Sequence, residues 1–299
     1  MRGVYTALIT PFLADGSIDF QAFDRVLEDQ RAAGVAGVIP CGTTGETPTL
    51  TKDEKKALIQ ACLKKFKGTQ VKVVAGTGSY DTNETIEMSR WASEQGVDGI
   101  LVVTPYYNKP SQAGLEAHFL AVADAVKCEV ILYNVPGRTG VSLTAPTVAA
   151  LAAHHRIRTI KEATGNVAFT SEILDALGQK GRSMDVLSGD DATFLPLLSV
   201  GATGVISVAS NLFPRAMVAI QKHYEKGDVA RAREIHDKYY PLFRDLFVES
   251  NPVPVKRAMA VAGFCGEGVR APLAPLTPAS RATLDQTLAR CEIGKGSRL

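Results

Sequence analysis

Short, continuously apolar runs recur along the first three quarters of the chain, at residues 4–10, 37–41, 71–75, 99–104, 130–134, 157–161, 186–188 and 204–208. A strand covered on both faces reads this way, because it has no wet face to alternate with. Between the runs the apolar positions recur with a helical period. Phe20, Phe23, Val26 and Leu27 share one face of a predicted helix that Asp19 can cap and Gly34 can end. Thr51 and Glu54 stand at capping-box spacing, where each side chain satisfies a backbone N–H of the first turn. Pro146 and Pro214 fall in predicted first turns, where a missing donor is tolerated. Eight β-α repeats with right-handed crossovers close most simply into a (β/α)8 TIM barrel; an open doubly wound sheet is the other arrangement. Beyond residue 227 the strand pattern stops, and 228–249, 253–263 and 278–290 read as helices. The expected organisation is a barrel over 1–226 and a helical extension over 227–299 packed on it.

Composition narrows the class of protein without changing that picture. The 299 residues are 45% hydrophobic and 21% charged, as in soluble globular chains, and one such barrel takes about 250 residues. A formal net charge of +2 with no long basic run argues against nucleic acid as a partner. No apolar run approaches the roughly 20 residues that span a bilayer. The first twelve residues lack the long apolar core of a signal peptide, so the expected location is the cytoplasm. The five cysteines are scattered with no C-x-x-C, unlike a disulfide framework or a zinc site. Cys41, just before a loop of interest, reads as a small buried apolar residue. The adjacent His154 and His155 cannot share a helix face, and Asp190 and Asp191 read as helix caps rather than metal ligands.

In this fold the chemistry sits at the C-terminal ends of the strands. Lys161 ends the sixth run and follows Ile157 and Thr159 with the parity of one strand face. Burial there would disfavour the ammonium, and a neutral amine is what Schiff-base chemistry needs. Taken alone, Lys161 reads first as a strand-end lysine snorkelling to water or paired with Glu162. Tyr133 on the neighbouring run shifts that balance, because its hydroxyl could reach the lysine nitrogen and shuttle protons; a core tyrosine with a backbone partner is the plainer reading. Thr43 and Thr44, in Gly42-Thr43-Thr44-Gly45, add two hydroxyls and a turn whose N–H groups can hold a carboxylate. Arg138, between Gly137 and Gly140, suits bidentate capture of a carboxylate, and equally a solvated loop arginine. The ends of the seventh and eighth runs carry no Lys or Arg, which disfavours phosphorylated substrates.

Together, Gly42-Thr43-Thr44-Gly45-Glu46, Thr104-Pro105-Tyr106-Tyr107-Asn108-Lys109-Pro110, Tyr133-Asn134-Val135-Pro136-Gly137-Arg138-Thr139-Gly140 and Ile160-Lys161-Glu162-Ala163-Thr164-Gly165 resemble the dihydrodipicolinate synthase family of pyruvate-dependent class I aldolases. Leu187-Ser188-Gly189-Asp190-Asp191, Gly204-Val205-Ile206-Ser207-Val208 and Asn251-Pro252-Val253-Pro254-Val255-Lys256 extend the likeness over nearly the whole chain. The resemblance implies condensation of pyruvate with L-aspartate 4-semialdehyde on the route to diaminopimelate and lysine, without metal or organic cofactor. It implies that Lys161 forms the imine and that Tyr133, Thr43 and Tyr107 relay protons, Tyr107 across a dimer interface. Thr44 would hold the pyruvate carboxylate, Arg138 that of the semialdehyde, and the backbone at Gly189 and Ile206 bound intermediates. It further implies a homotetramer of two tight dimers. Related N-acetylneuraminate and keto-deoxy sugar acid lyases share the lysine and tyrosine but generally lack the arginine, and tend to carry Ser at the Thr43 position. A catalytically silent binding barrel is a third reading. At the site where many members bind lysine, Tyr106 and Glu84 fit the pattern, whereas Thr47-Pro48, Lys52 and Tyr80 depart from it. The expectation is weak or absent inhibition by lysine.

Overall fold

In the computed structural model, which describes residues 1–294 and 296, all eight apolar runs carry strands. They are β1 (Gly3–Ala7), β2 (Gly37–Ile39), β3 (Lys72–Gly76), β4 (Gly99–Val103), β5 (Glu129–Asn134), β6 (Ile157–Glu162), β7 (Asp185–Ser188) and β8 (Gly204–Ser207). They follow one another in sequence order around a closed parallel barrel, as the repeats require. The open sheet is excluded. β1 stops at Ala7, although the apolar run continues to Ile9. There the Asn211 side chain takes the Ile9 N–H at 3.0 Å in place of a neighbouring strand. Apolar sequence reports burial, and burial outlasts the ladder.

The chain divides into two compact units, each assembled from separate stretches. One comprises Met1–Gly3 and Lys72–Ile206; the other comprises Val4–Val71 and Ser207–Leu299.

In the first unit, β4 to β7 pair in parallel, with Val103 opposite Tyr133, Tyr133 opposite Lys161, and Lys161 opposite Leu187. The register shifts once, between Val130 and Ile131. Val130 pairs with Ile157 and Ile131 with Thr159, so Arg158 is an extra residue. Thr159 and Lys161 therefore share a face, as expected, but Ile157 does not belong to it: the bulge changes the phase of the strand between them. The surrounding helices begin at side-chain caps, Asp81 before Thr82–Glu94, Ser111 before Gln112–Asp124 and Asn166 before Val167–Gln179. Asp190 and Asp191 do not cap a helix. Phe194–Ser199 starts at Thr193 without a side-chain cap, and Asp190 instead accepts from the Ala192 N–H within a turn. At Gly204 an added Cβ would lie 2.1 Å from the Gly3 carbonyl oxygen, so only glycine lets these backbones approach.

In the second unit, Asp19 caps the helix Phe20–Ala33 through the Ala22 N–H, and Gly34 ends it in the left-handed region. Thr51 and Glu54 form both bonds of the capping box of Lys52–Phe66. Pro214 opens Pro214–Glu225, and helices follow at Val229–Asp245, Val253–Val261 and Pro278–Arg290. The helix expected over 228–249 stops at Asp245, where Phe247 and Val248 turn back on the carbonyls of Arg244 and Asp245. Among the described residues no helix is long and apolar enough to cross a membrane.

His118, buried in Gln112–Asp124, has its Nδ1 2.9 Å from the Thr82 hydroxyl. Burial pushes its pKa from 6.5 down to about 4, against the weaker pull of Asp81. The unfolded chain thus binds a proton between pH 6.5 and 4 that the native chain refuses, and stability falls as the pH drops through that window. The contribution is on the order of 3 kcal/mol by pH 4. His118→Gln is expected to flatten the fall in unfolding free energy, measured by urea titration between pH 7 and pH 4, by that amount.

Candidate active site

The first unit presents the strand ends that carry Lys161 and Tyr133. Both side chains are buried, 5% and 6% exposed, and the Lys161 Nζ lies 4.2 Å from the centroid of the Tyr133 ring. The amine therefore rests on the ring face rather than at the hydroxyl. Among the described residues it has no carboxylate partner. Glu162, which the sequence allowed as one, points to the other face. There its Oε2 accepts from the Asn134 Nδ2 at 2.9 Å and its Oε1 from the Thr164 N–H at 2.5 Å. Burial raises the Glu162 pKa above its ordinary value, while these bonds pull it back.

Asn134 also secures the loop that carries Arg138. Its Oδ1 accepts from the Leu143 N–H at 3.0 Å and from the Ser142 hydroxyl at 3.3 Å. Thr104 donates to the Thr139 hydroxyl at 3.2 Å, and that hydroxyl donates back to the carbonyls of Val135 and Val141. Gly140 closes the loop at φ +69, where an added Cβ would meet Lys109 Cε at 2.7 Å. Arg138 itself is exposed, a reachable cation on a braced loop. Gly189 donates to the Glu162 carbonyl at 2.7 Å, and a side chain there would strike Ala163 at 2.5 Å. Ile206 is fully buried on β8. Tyr107 stands 93% exposed at φ +71, its side chain projecting from the rest of the chain. Tyr80 and Tyr106 meet edge to face at 5.4 Å, and Ser79 donates to Glu84 at 2.7 Å, so three residues of the expected lysine site gather in this unit.

In the second unit, Thr43 is half-buried and Thr44 is 2% exposed. Their turn closes through Gly45 N–H to Gly42 O at 3.1 Å and Glu46 N–H to Thr43 O at 3.0 Å. Among the described residues nothing accepts from the N–H groups of Thr43 or Thr44, which leaves two spare donors. Glu46 follows in the left-handed region at φ +58, with its carboxylate buried. Lys256 Nζ reaches its Oε1 at 2.6 Å and the Arg270 N–H its Oε2 at 2.9 Å. Both cations also lie over the Phe12 ring, Lys256 at 4.1 Å and Arg270 at 4.4 Å. Cys41 is buried and its thiol is pushed up to about 12, which keeps it protonated and unreactive. Lys52 begins its helix exposed to solvent. Among the described residues no three His, Cys, Asp or Glu side chains gather as a metal site.

A profile of the Dihydrodipicolinate synthetase family matches residues 1–291. The chain belongs to that family. It is 48% identical to the 4-hydroxy-tetrahydrodipicolinate synthase of Leptospira biflexa over 276 residues, 92% of each chain. With the same-named protein of Pelobacter propionicus it shares 48% over 283 residues, 95% of this chain and 96% of the other. The solved 4-hydroxy-tetrahydrodipicolinate synthase of Methylacidiphilum fumariolicum SolV superposes with a TM-score of 0.94 at 46% identity, covering 98% of this chain and 96% of that one.

Two buried networks in this chain have little or no local signature in the sequence. The Asn134–Glu162 bond has a weak signal, two polar residues ending adjacent apolar strands. The Glu46–Lys256 pair has a better one: Lys256 is a charge in the otherwise apolar start of Val253–Val261. Removing one partner of a buried ion pair costs about 3–5 kcal/mol, because the other charge is stranded. Lys256→Met is expected to lower the unfolding free energy, measured by urea titration, on that scale, and Glu46→Gln added to it to restore part of the loss.

Proposed function

We propose that the chain condenses pyruvate with L-aspartate 4-semialdehyde to give 4-hydroxy-tetrahydrodipicolinate, a step towards diaminopimelate and lysine. The observation that carries this reading is the buried, carboxylate-free Lys161 amine against Tyr133, in a chain whose relatives bear the name of that activity. The Lys161 Nζ attacks C2 of pyruvate, and loss of water gives the protonated imine. Removal of a C3 proton yields an enamine, whose C3 attacks the aldehyde carbon. The amino group of the semialdehyde then displaces Lys161 from C2 and closes the ring. One water leaves overall.

Each of these steps moves a proton, and Tyr133 is the group at hand to take and return it. We assign Thr43 and Tyr107 to the same relay. The exposure of Tyr107 supports a role in a neighbouring subunit's site, and with it a homotetramer built from two tight dimers. Thr44 and the spare N–H donors of its turn suit the pyruvate carboxylate, and Arg138 that of the semialdehyde. The backbone at Gly189 and Ile206 lines the same reaction path. The proposed location is the cytoplasm.

Incubation with pyruvate followed by borohydride is expected to leave a reduced pyruvyl adduct on Lys161, located by peptide mapping. A folded protein without the adduct would refute the imine mechanism. A second expectation concerns regulation. Because Lys52 departs from the family pattern for lysine binding, millimolar lysine is expected to leave the initial rate within twofold of its uninhibited value. Half-inhibition at micromolar lysine would contradict it.

A further inference from the structure

Asn251 and Lys256 take no part in the reaction as written, yet both are buried and both bond to the turn that carries Thr44. We propose that Asn251 is a positioning residue that makes the Thr44 hydroxyl a hydrogen-bond donor to the carboxylate of pyruvate, with the Glu46–Lys256 pair holding the turn in place for it. This rests on the reading that Thr44 binds that carboxylate.

A hydroxyl has one proton to give and lone pairs to receive. The Nδ2 of Asn251 can only donate, and it lies 2.9 Å from Thr44 Oγ1. That bond occupies a lone pair and leaves the hydroxyl proton to point elsewhere. Among the described residues no group accepts it. At 2% and 5% exposure, Thr44 and Asn251 are largely shielded from bulk water. A buried donor with its proton uncommitted is matched to an anionic acceptor, since bonds to charged oxygens are about twice as strong as neutral ones.

The charges around the turn are consistent with that role. Lys256 is the cation nearest Glu46, and the pair cancels at 2.6 Å. A carboxylate bound at this turn therefore meets dipoles rather than a free ammonium. The same helix start supplies both residues. The Lys256 N–H donates to the Pro252 carbonyl at 3.0 Å and the Val253 N–H to that of Ser250 at 3.0 Å, so Asn251 and Lys256 reach the turn from one braced segment. Glu46 at φ +58 is an uncommon backbone state for a side-chain residue, and two charged or backbone donors on its carboxylate hold it there.

The test is a double-mutant cycle between Asn251→Leu, which keeps the bulk and removes the donor, and Thr44→Val, which removes the hydroxyl. Readouts are KM for pyruvate, KM for the semialdehyde, kcat and the thermal midpoint. Asn251→Leu is expected to raise KM for pyruvate about tenfold, the scale of one lost charge-assisted bond, with KM for the semialdehyde within twofold. In the Thr44→Val background it should raise KM for pyruvate no further. The double variant should nevertheless lose less of the thermal midpoint than the two single losses summed, because the two changes remove one shared bond. A role in folding alone would move the midpoint and leave the two KM values in proportion. The inference is overturned if Asn251→Leu leaves KM for pyruvate unchanged, or raises it by the same factor with and without the Thr44 hydroxyl. If Thr44→Val itself leaves KM for pyruvate unchanged, the role given to Thr44 falls and the inference with it, while borohydride trapping at Lys161 still stands. Should Asn251→Leu fail to fold, Asn251→Ala in the same two backgrounds takes its place with the same readings.

Discussion

Side chains alternate between the two faces of a strand, so the seating of the Lys161 amine on the Tyr133 ring depends on the two being register partners. A slip of one residue would exchange Lys161 with Glu162 and set a carboxylate against the tyrosine. The extra residue at Arg158 establishes the phase before the strand reaches Lys161. Beyond it, three consecutive partners, Leu132 with Ile160, Tyr133 with Lys161 and Asn134 with Glu162, hold the two strands in step. The last of these is also a side-chain bond, so the face opposite the lysine carries the lock.

Each compact unit fastens one loop with a buried carboxylate. Glu162 works through Asn134 on the loop of Arg138, and Glu46 works through Lys256 and Arg270 on the turn of Thr44. Buried charges are poor sources of net stability, because their desolvation offsets most of the attraction. They are strict about geometry, which is what a site needs. Further out, Arg270 holds the Glu54 carboxyl down to about 2, so the charge pattern around that turn persists across the physiological range.

The barrel was legible because eight doubly covered strands leave unbroken apolar runs, and the helix ends were legible because Asp19, Thr51 and Gly34 act locally. Strand ends were not, since Leu8 and Ile9 stay buried after the ladder has stopped. The bulge at Arg158 was invisible for the opposite reason: Ile157, Thr159 and Lys161 alternate in sequence as if the strand were regular. Lys161 and Tyr133 could be paired by parity. Which way the amine lies on the ring could not, because that is settled by packing. Asp190 looked like a cap and is a turn residue, since both structures ask for the same short acceptor next to free N–H groups. Asn251 and Lys256 were visible as a motif, but their partners lie about two hundred positions earlier, a separation that no local pattern encodes.

That separation bears on how the protein is made. A ribosome delivers the chain from its N-terminus, so Lys72–Ile206 can be complete while the other unit still lacks everything after residue 206. Until residue 256 has emerged, the Glu46 carboxylate has no ammonium to meet it and stays hydrated. The turn bearing Thr44 is thus among the first segments synthesised and among the last to take its final form. Synthesis order and folding order therefore part company at that turn.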